Sequence, residues 1–149
     1  NFGNISKVFF YKISSKKFSM IKEGLSFKES QIEYKKAILE NLVIGNNGLP
    51  KFDLIVLGMG DDGHTASLFP ETEALLEENE IVIINQVPQL NTERMTLTYP
   101  IILNANEIVV IVKGVSKEKI IEELYSENSH NYPILKVVKE HSKLNWLIG

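Results

Sequence analysis

Phe52-Asp53-Leu54-Ile55-Val56-Leu57, running directly into Gly58-Met59-Gly60-Asp61-Asp62-Gly63-His64-Thr65-Ala66-Ser67-Leu68-Phe69-Pro70, decides how this sequence is read. The first part is a nearly continuous apolar run between Pro50 and Gly58, the pattern of a strand buried on both faces, and such strands belong to parallel sheets covered by helices. The second part carries Gly58, Gly60 and Gly63 in close succession and then a histidine. In open α/β sheets, ligands sit beyond the carboxyl ends of the strands, where this loop must lie. Glycines there permit positive φ and let backbone N–H groups approach a ligand's oxygens. His64 is expected at the start of a short helical segment that Pro70 limits.

Outward from this segment the chain alternates. Ser26-Phe27-Lys28-Glu29 has capping-box spacing, and Ile32, Leu39, Leu42 and Val43 fall on roughly one helical face before Gly45-Asn46-Asn47-Gly48 ends the helix. Strands are expected at Lys7 to Ile13, Ile81 to Val87, Arg94 to Tyr99, Glu107 to Val112 and Leu144 to Ile148, with a helix from about Lys117 to Tyr125 and a surface loop over Ser126 to Pro133. The order implies an α/β fold, and 149 residues with 44% hydrophobic content imply one domain spanning 1–149.

Composition excludes several functions. The net charge of -3 over interleaved lysines and glutamates offers no face for a nucleic acid. No apolar run approaches the ~20 residues that span a bilayer, and with no cysteine there is neither a disulfide framework nor a thiolate metal site. A soluble protein of the cytoplasm is the expectation. His130 and His141 lack ligand spacing, so no metal site is expected.

Gly58, Gly60 and Gly63 also fit the dinucleotide fingerprint. That site wants a long helix after the loop and an acidic residue about 20 positions on. Pro70 interrupts the helix and the next strand ends in Ile84-Asn85-Gln86, so both requirements fail. For His64 the plainer alternative is a ring satisfying a loop carbonyl. Its place on a glycine loop at the carboxyl edge of a sheet favours a proton-transfer role, because imidazole titrates near neutrality. Thr65 and Ser67 lack a nucleophile-elbow sequence, which leaves water as the nucleophile. Asp61 and Asp62 either shape the turn or orient His64; both readings stay open.

Of sixteen basic residues only Arg94 is an arginine, which singles it out for a planar, bidentate contact to carboxylate or phosphate, with a strand-end salt bridge as the alternative. Lys117 stands in the first turn of a helix expected to be capped by Ser116, where its charge opposes the macrodipole unless an anion joins it. Lys113 reads as surface charge.

The run Gly58 to Pro70 with its preceding strand closely resembles the signature of 6-phosphogluconolactonases. Arg94-Met95-Thr96-Leu97-Thr98-Tyr99-Pro100, Val112-Lys113-Gly114-Val115-Ser116-Lys117 and Leu144-Asn145-Trp146-Leu147 are similar to further segments of that family, whereas 1–48 corresponds loosely. The resemblance implies a Rossmann-like, three-layer α/β fold with a largely parallel sheet, of the sugar-phosphate isomerase/lactonase type, represented by its C-terminal part. A Ser-Gly-Gly phosphate loop and an Asp-Glu-Arg motif of the family have no counterpart in this sequence, so a missing N-terminal segment of the same protein is an expected partner.

The implied activity is hydrolysis of 6-phospho-D-glucono-1,5-lactone to 6-phosphogluconate in the oxidative pentose phosphate pathway. His64 and Asp62 would be the catalytic residues, Gly58, Gly60, Gly63, Arg94 and Lys117 would meet the phosphorylated sugar lactone, and backbone N–H groups between Gly60 and His64 would face the developing oxyanion. No metal or organic cofactor is implied. The related glucosamine-6-phosphate deaminase/isomerases share the glycine-loop core but continue with an acidic residue before the proline, where this chain has Phe69. A non-catalytic relative that binds sugar phosphates is the other alternative.

Overall fold

A computed structural model of the protein describes residues 24–126 and 131–149. The strand expected at Lys7 to Ile13 and His130 lie outside the described residues.

The first helix, α1 (Phe27–Asn41), opens as its sequence requires. Ser26 Oγ accepts from the Glu29 amide at 3.3 Å, and the Glu29 carboxylate accepts from the Ser26 amide at 2.9 Å, a reciprocal capping box. Its inward face differs from the expected one. Ile38 and Ser30 are buried while Ile32 and Leu39 are exposed. The helix also ends before Val43, which with Ile44 forms β1 (Val43–Ile44), paired antiparallel to β2 (Pro50–Lys51). Gly48 at φ +77° makes that turn possible.

A parallel sheet carries the architecture. Its strands are β3 (Leu54–Gly58), β6 (Glu107–Val112) and β7 (Leu144–Ile148), in the order β3-β6-β7. The intervening β4 (Val82–Val87) and β5 (Thr92–Leu97) form a separate antiparallel hairpin. Here the strand expected to reach Tyr99 stops early, because α2 (Tyr99–Leu103) begins with Pro100 in its first turn, where proline's fixed φ suits a helix start. Two further helices follow, α3 (Val115–Leu124) and α4 (Pro133–Glu140). The second was not anticipated, although Pro133 in its first turn and Ile134, Val137 and Val138 at helical spacing signal it.

Ile55 and Leu57 from β3, with Ile108, Val110 and Val112 from β6, pack against Ile102, Ile120, Leu124, Ile134 and Val137 of the three later helices. Leu54, Val56, Ile111 and Leu147 alternate to the opposite face of the same sheet and are exposed. The expectation that β3 is buried on both faces therefore does not hold: among the described residues, helices cover one face only. Ile108 lies at the centre of the core and is fully buried. Ile108→Ala should lower unfolding free energy by about 2–5 kcal/mol, the cost of a partly relaxed cavity, read from a denaturant titration of the intact protein. A loss below 1 kcal/mol, on the same order as a surface substitution, would contradict this packing.

Candidate active site

The glycine loop leaves the carboxyl end of β3 beside β6, as parallel-sheet chemistry requires. It does not enter a helix. Residues 65–68 form a tight turn in which the Leu68 amide donates to Thr65 O at 2.9 Å, with Ala66 at φ +51°. The helical segment expected after His64 is thus replaced by a turn, held by Thr65 Oγ1 donating to Gly58 O (2.9 Å) and by Thr96 Oγ1 accepting from the Ser67 amide (3.0 Å). Asn85 Nδ2 donates to Ser67 O (2.8 Å), so the β4–β5 hairpin grips the loop from its side.

His64 is fixed by three contacts. Its Nδ1 lies 2.6 Å from Asp62 Oδ1, its own amide donates to the same oxygen at 3.1 Å, and its ring stacks on Phe69 with centroids 4.1 Å apart. A carboxylate can only accept here, which assigns the Nδ1 proton to this bond and leaves the Nε2 lone pair available for a proton. Partial burial acts to raise the Asp62 pKa, but hydrogen bonds from the His64 ring and amide outweigh it, and the carboxyl is held below its usual range. Both readings of Asp62 are therefore realised in one geometry, since the turn it shapes is the turn that carries its histidine.

The depressed Asp62 pKa has a consequence for stability. A carboxylate with a lowered folded-state pKa stabilises the fold fully above its unfolded value, and this stabilisation is lost as pH falls through the folded value. The stability gap between the protein and Asp62→Asn should therefore narrow on going from about pH 6 to about pH 3. Urea titrations across that range read it, and a gap independent of pH would contradict the assignment.

The three glycines serve different ends. A Cβ at Gly60 would lie 2.1 Å from His64 Nδ1 and 2.6 Å from Asp62 Oδ1, so the absent side chain is the space the pair occupies. Gly63 takes φ +72° and sits against the Tyr132 ring, which a Cβ would meet at 2.4 Å; its carbonyl accepts from the Ile134 amide at 3.0 Å. Thus α4 and Tyr132 buttress the loop. Gly58 has open space where a Cβ would stand. The expectation that loop amides face a ligand is also narrowed: Gly60 N donates to His64 O, Gly63 N to Gly60 O, and His64 N to Asp62. Three of those N–H groups are committed inside the loop.

Lys117 is brought to the same loop from α3. The cap of that helix is Gly114 at φ +105°, not Ser116 as expected. Ser116 Oγ instead donates to Asp61 Oδ1 at 2.9 Å, and Lys117 Nζ donates to that oxygen at 2.6 Å. The Lys117 and Ser116 bonds, with the lysine's charge, hold the Asp61 carboxyl below its ordinary range. Asp61 places a negative charge at the start of α3, where it interacts favourably with the helix dipole and offsets the unfavourable charge of Lys117. Consecutive carboxylates therefore tie the loop in two directions, Asp61 to α3 and Asp62 to His64.

Arg94 is exposed on β5 and, among the described residues, its side chain makes no hydrogen bond or ion pair. By register it stands opposite Asn85 and, two residues from Thr96, on the hairpin face that holds Ser67. Thr65 is fully buried and donates to Gly58, which removes it as a nucleophile. His141 is structural: its Nε2 donates to Ala105 O (2.9 Å) and its Nδ1 accepts from the Lys143 amide (3.3 Å). A cavity of 670 Å³ beside Tyr132 and Pro70 has none of His64, Arg94 or Lys117 in its lining. The sequence did not reveal the stacking of Phe69 on His64, the packing of Tyr132 on Gly63, or the bonds from Ser116 and Lys117 to Asp61. Of these, Phe69 was legible as the aromatic that stands where the rival family has an acid.

Comparison with known proteins gives a coherent result. Residues 1–146 match the family model described as glucosamine-6-phosphate isomerases/6-phosphogluconolactonase. The 6-phosphogluconolactonase of Chlamydia pneumoniae is 46% identical over 101 residues, covering 66% of this chain and 39% of that protein. That of Chlamydia muridarum is 40% identical over 113 residues, covering 75% and 44%. Among solved structures, the 6-phosphogluconolactonase of Thermotoga maritima superposes over the whole chain and 64% of its own length, with a TM-score of 0.75 and 25% identity. The chain thus spans about two-fifths of the length of these curated relatives, and its fold is the α/β fold of the sugar-phosphate isomerases and lactonases.

Proposed function

Because the chain belongs to the glucosamine-6-phosphate isomerase/6-phosphogluconolactonase family, we propose that the protein hydrolyses 6-phospho-D-glucono-1,5-lactone to 6-phosphogluconate, a step of the oxidative pentose phosphate pathway. The observation that carries this reading is the His64–Asp62 pair, with Nδ1 held at 2.6 Å by the carboxylate and the ring clamped by Phe69. A base for activating water needs one free imidazole nitrogen of fixed tautomer and direction, and this pair supplies it.

His64 Nε2 takes a proton from water, and the hydroxide adds to the lactone carbonyl carbon. The tetrahedral adduct collapses with cleavage of the bond between that carbon and the ring oxygen, and the imidazolium returns its proton to the departing oxygen. Asp62 stabilises the imidazolium while it exists. Lys117, with the first turn of α3, and Arg94 receive the phosphate by charge and by bidentate hydrogen bonding. Gly60 and Gly63 keep the loop close to the sugar, and Gly58 delivers it from β3. Because the Gly60, Gly63 and His64 amides are bonded within the loop, oxyanion stabilisation falls to other donors.

The reading against deamination rests on Phe69. In the stretch after the histidine this chain places an apolar ring against the imidazole where aldose–ketose proton shuttling needs a carboxylate. The absence of cysteine suits a reducing cytoplasm. The test is formation of 6-phosphogluconate from the lactone by the intact protein, followed with a coupled dehydrogenase. A rate above spontaneous hydrolysis supports the proposal, and a rate equal to it refutes it.

A further inference from the structure

The pairing of Asp61 with Lys117 bears on how the site takes its anion. The Lys117 side chain is 14% exposed and the Asp61 side chain 77% exposed. The ammonium is therefore fixed within the fold, while its partner stands at the solvent side. Asp61 Oδ1 accepts from both Ser116 Oγ and Lys117 Nζ at the start of α3. These are the charge-assisted donors that a phosphate oxygen would use. One oxygen cannot be replaced by another without the first moving away, and a phosphate beside a retained Asp61 would meet a like charge.

Resting on the reading that Lys117 receives the substrate's phosphate, we infer that Asp61 is an internal counter-ion of that seat, which occupies Lys117 and Ser116 in the empty site and is displaced by the phosphate. Asp61 is then a specificity-determining residue rather than a catalytic one. It lowers affinity for every phosphorylated ligand by the strength of its own ion pair, and it keeps Lys117 from collecting weak anions. Because Asp61 is solvent-exposed and lies on a turn, it can swing outward without disturbing Asp62, whose carboxylate is engaged separately with His64.

The experiment is calorimetric titration of the intact protein with 6-phosphogluconate, and with gluconate as the phosphate-free control, for the protein, Asp61→Asn, Asp61→Ala and Lys117→Ala. Removing an exposed competing ion pair should tighten 6-phosphogluconate binding about threefold to fivefold in both Asp61 variants, with gluconate unaffected and the gain shrinking at high salt. Thermal unfolding identifies any variant that fails to fold, and the second Asp61 variant then stands in for it. Unchanged or weaker 6-phosphogluconate binding in the folded Asp61 variants, with Lys117→Ala at least tenfold weaker, would overturn the counter-ion role and leave the phosphate seat standing. Lys117→Ala binding like the unaltered protein would overturn the seat, and the inference with it.

Discussion

His64→Gln should reduce lactone hydrolysis by the intact protein by roughly 10²–10⁴-fold, the range contributed by a positioned general base, while leaving its unfolding midpoint almost unchanged. The side chain is held by Asp62 and Phe69 but supports little of the core, which is built from Ile55, Leu57, Ile108 and Val110 against the helices. Glutamine keeps a polar planar group of similar reach and cannot accept a proton near neutral pH. The loss should therefore appear in turnover rather than in binding of 6-phosphogluconate. Steady-state kinetics together with a binding titration check this. A variant retaining more than a tenth of the rate would remove His64 from its role as base.

Gly60→Ala should be nearly as damaging by a different route. The added methyl would fall 2.1 Å from His64 Nδ1 and 2.6 Å from Asp62 Oδ1. Those atoms belong to partly exposed side chains rather than to backbone, so the response is displacement of the pair rather than unfolding. The ring must leave its place on Phe69, the Nδ1 bond to Asp62 breaks, and tautomer and direction are lost together. A misplacement of about 1 Å at the reacting centre costs on the order of 10²-fold. Gly58→Ala provides the comparison, because its methyl meets nothing within 4 Å and its φ is not positive. It should lose far less than the roughly 10²-fold that a misplacement of about 1 Å costs. Equal losses in the two variants would show that the strand's end, not crowding at His64, controls the rate.

The glycines of this loop illustrate what could be read from sequence. Their spacing after an apolar run placed a glycine loop at a strand's carboxyl end, and β6 and β7 appear with the expected bounds. What spacing could not assign was each glycine's task, because the steric demand at Gly60 comes from His64 and that at Gly63 from Tyr132, a residue far along the chain. The same holds for Asp61, whose partners lie more than fifty positions away on α3. Local patterning reports period and turn chemistry, while ion pairs across elements depend on packing that it does not encode.

Where patterning failed, a tertiary contact won. Ile32 and Leu39 fit a helical stripe, yet the face of α1 that meets β4 is the one bearing Ile38, and Gln31 Nε2 donates to Val82 O across the same contact. In β3 the continuous apolar run suggested burial on both faces, but α2, α3 and α4 all lie on the side of Ile55 and Leu57. The turn after His64 replaced an expected helix because Thr65 and Ser67 are bonded outward, to Gly58, Thr96 and Asn85, rather than along a helical ladder.

On the proposed function, the His64 loop performs lactone hydrolysis and not amine release. The most direct test gives the intact protein 6-phosphogluconolactone and glucosamine 6-phosphate side by side, measuring 6-phosphogluconate from the first and ammonia from the second. 6-Phosphogluconate should form well above the spontaneous rate, with no ammonia. Ammonia release without lactone hydrolysis would contradict that function and assign the loop to deamination.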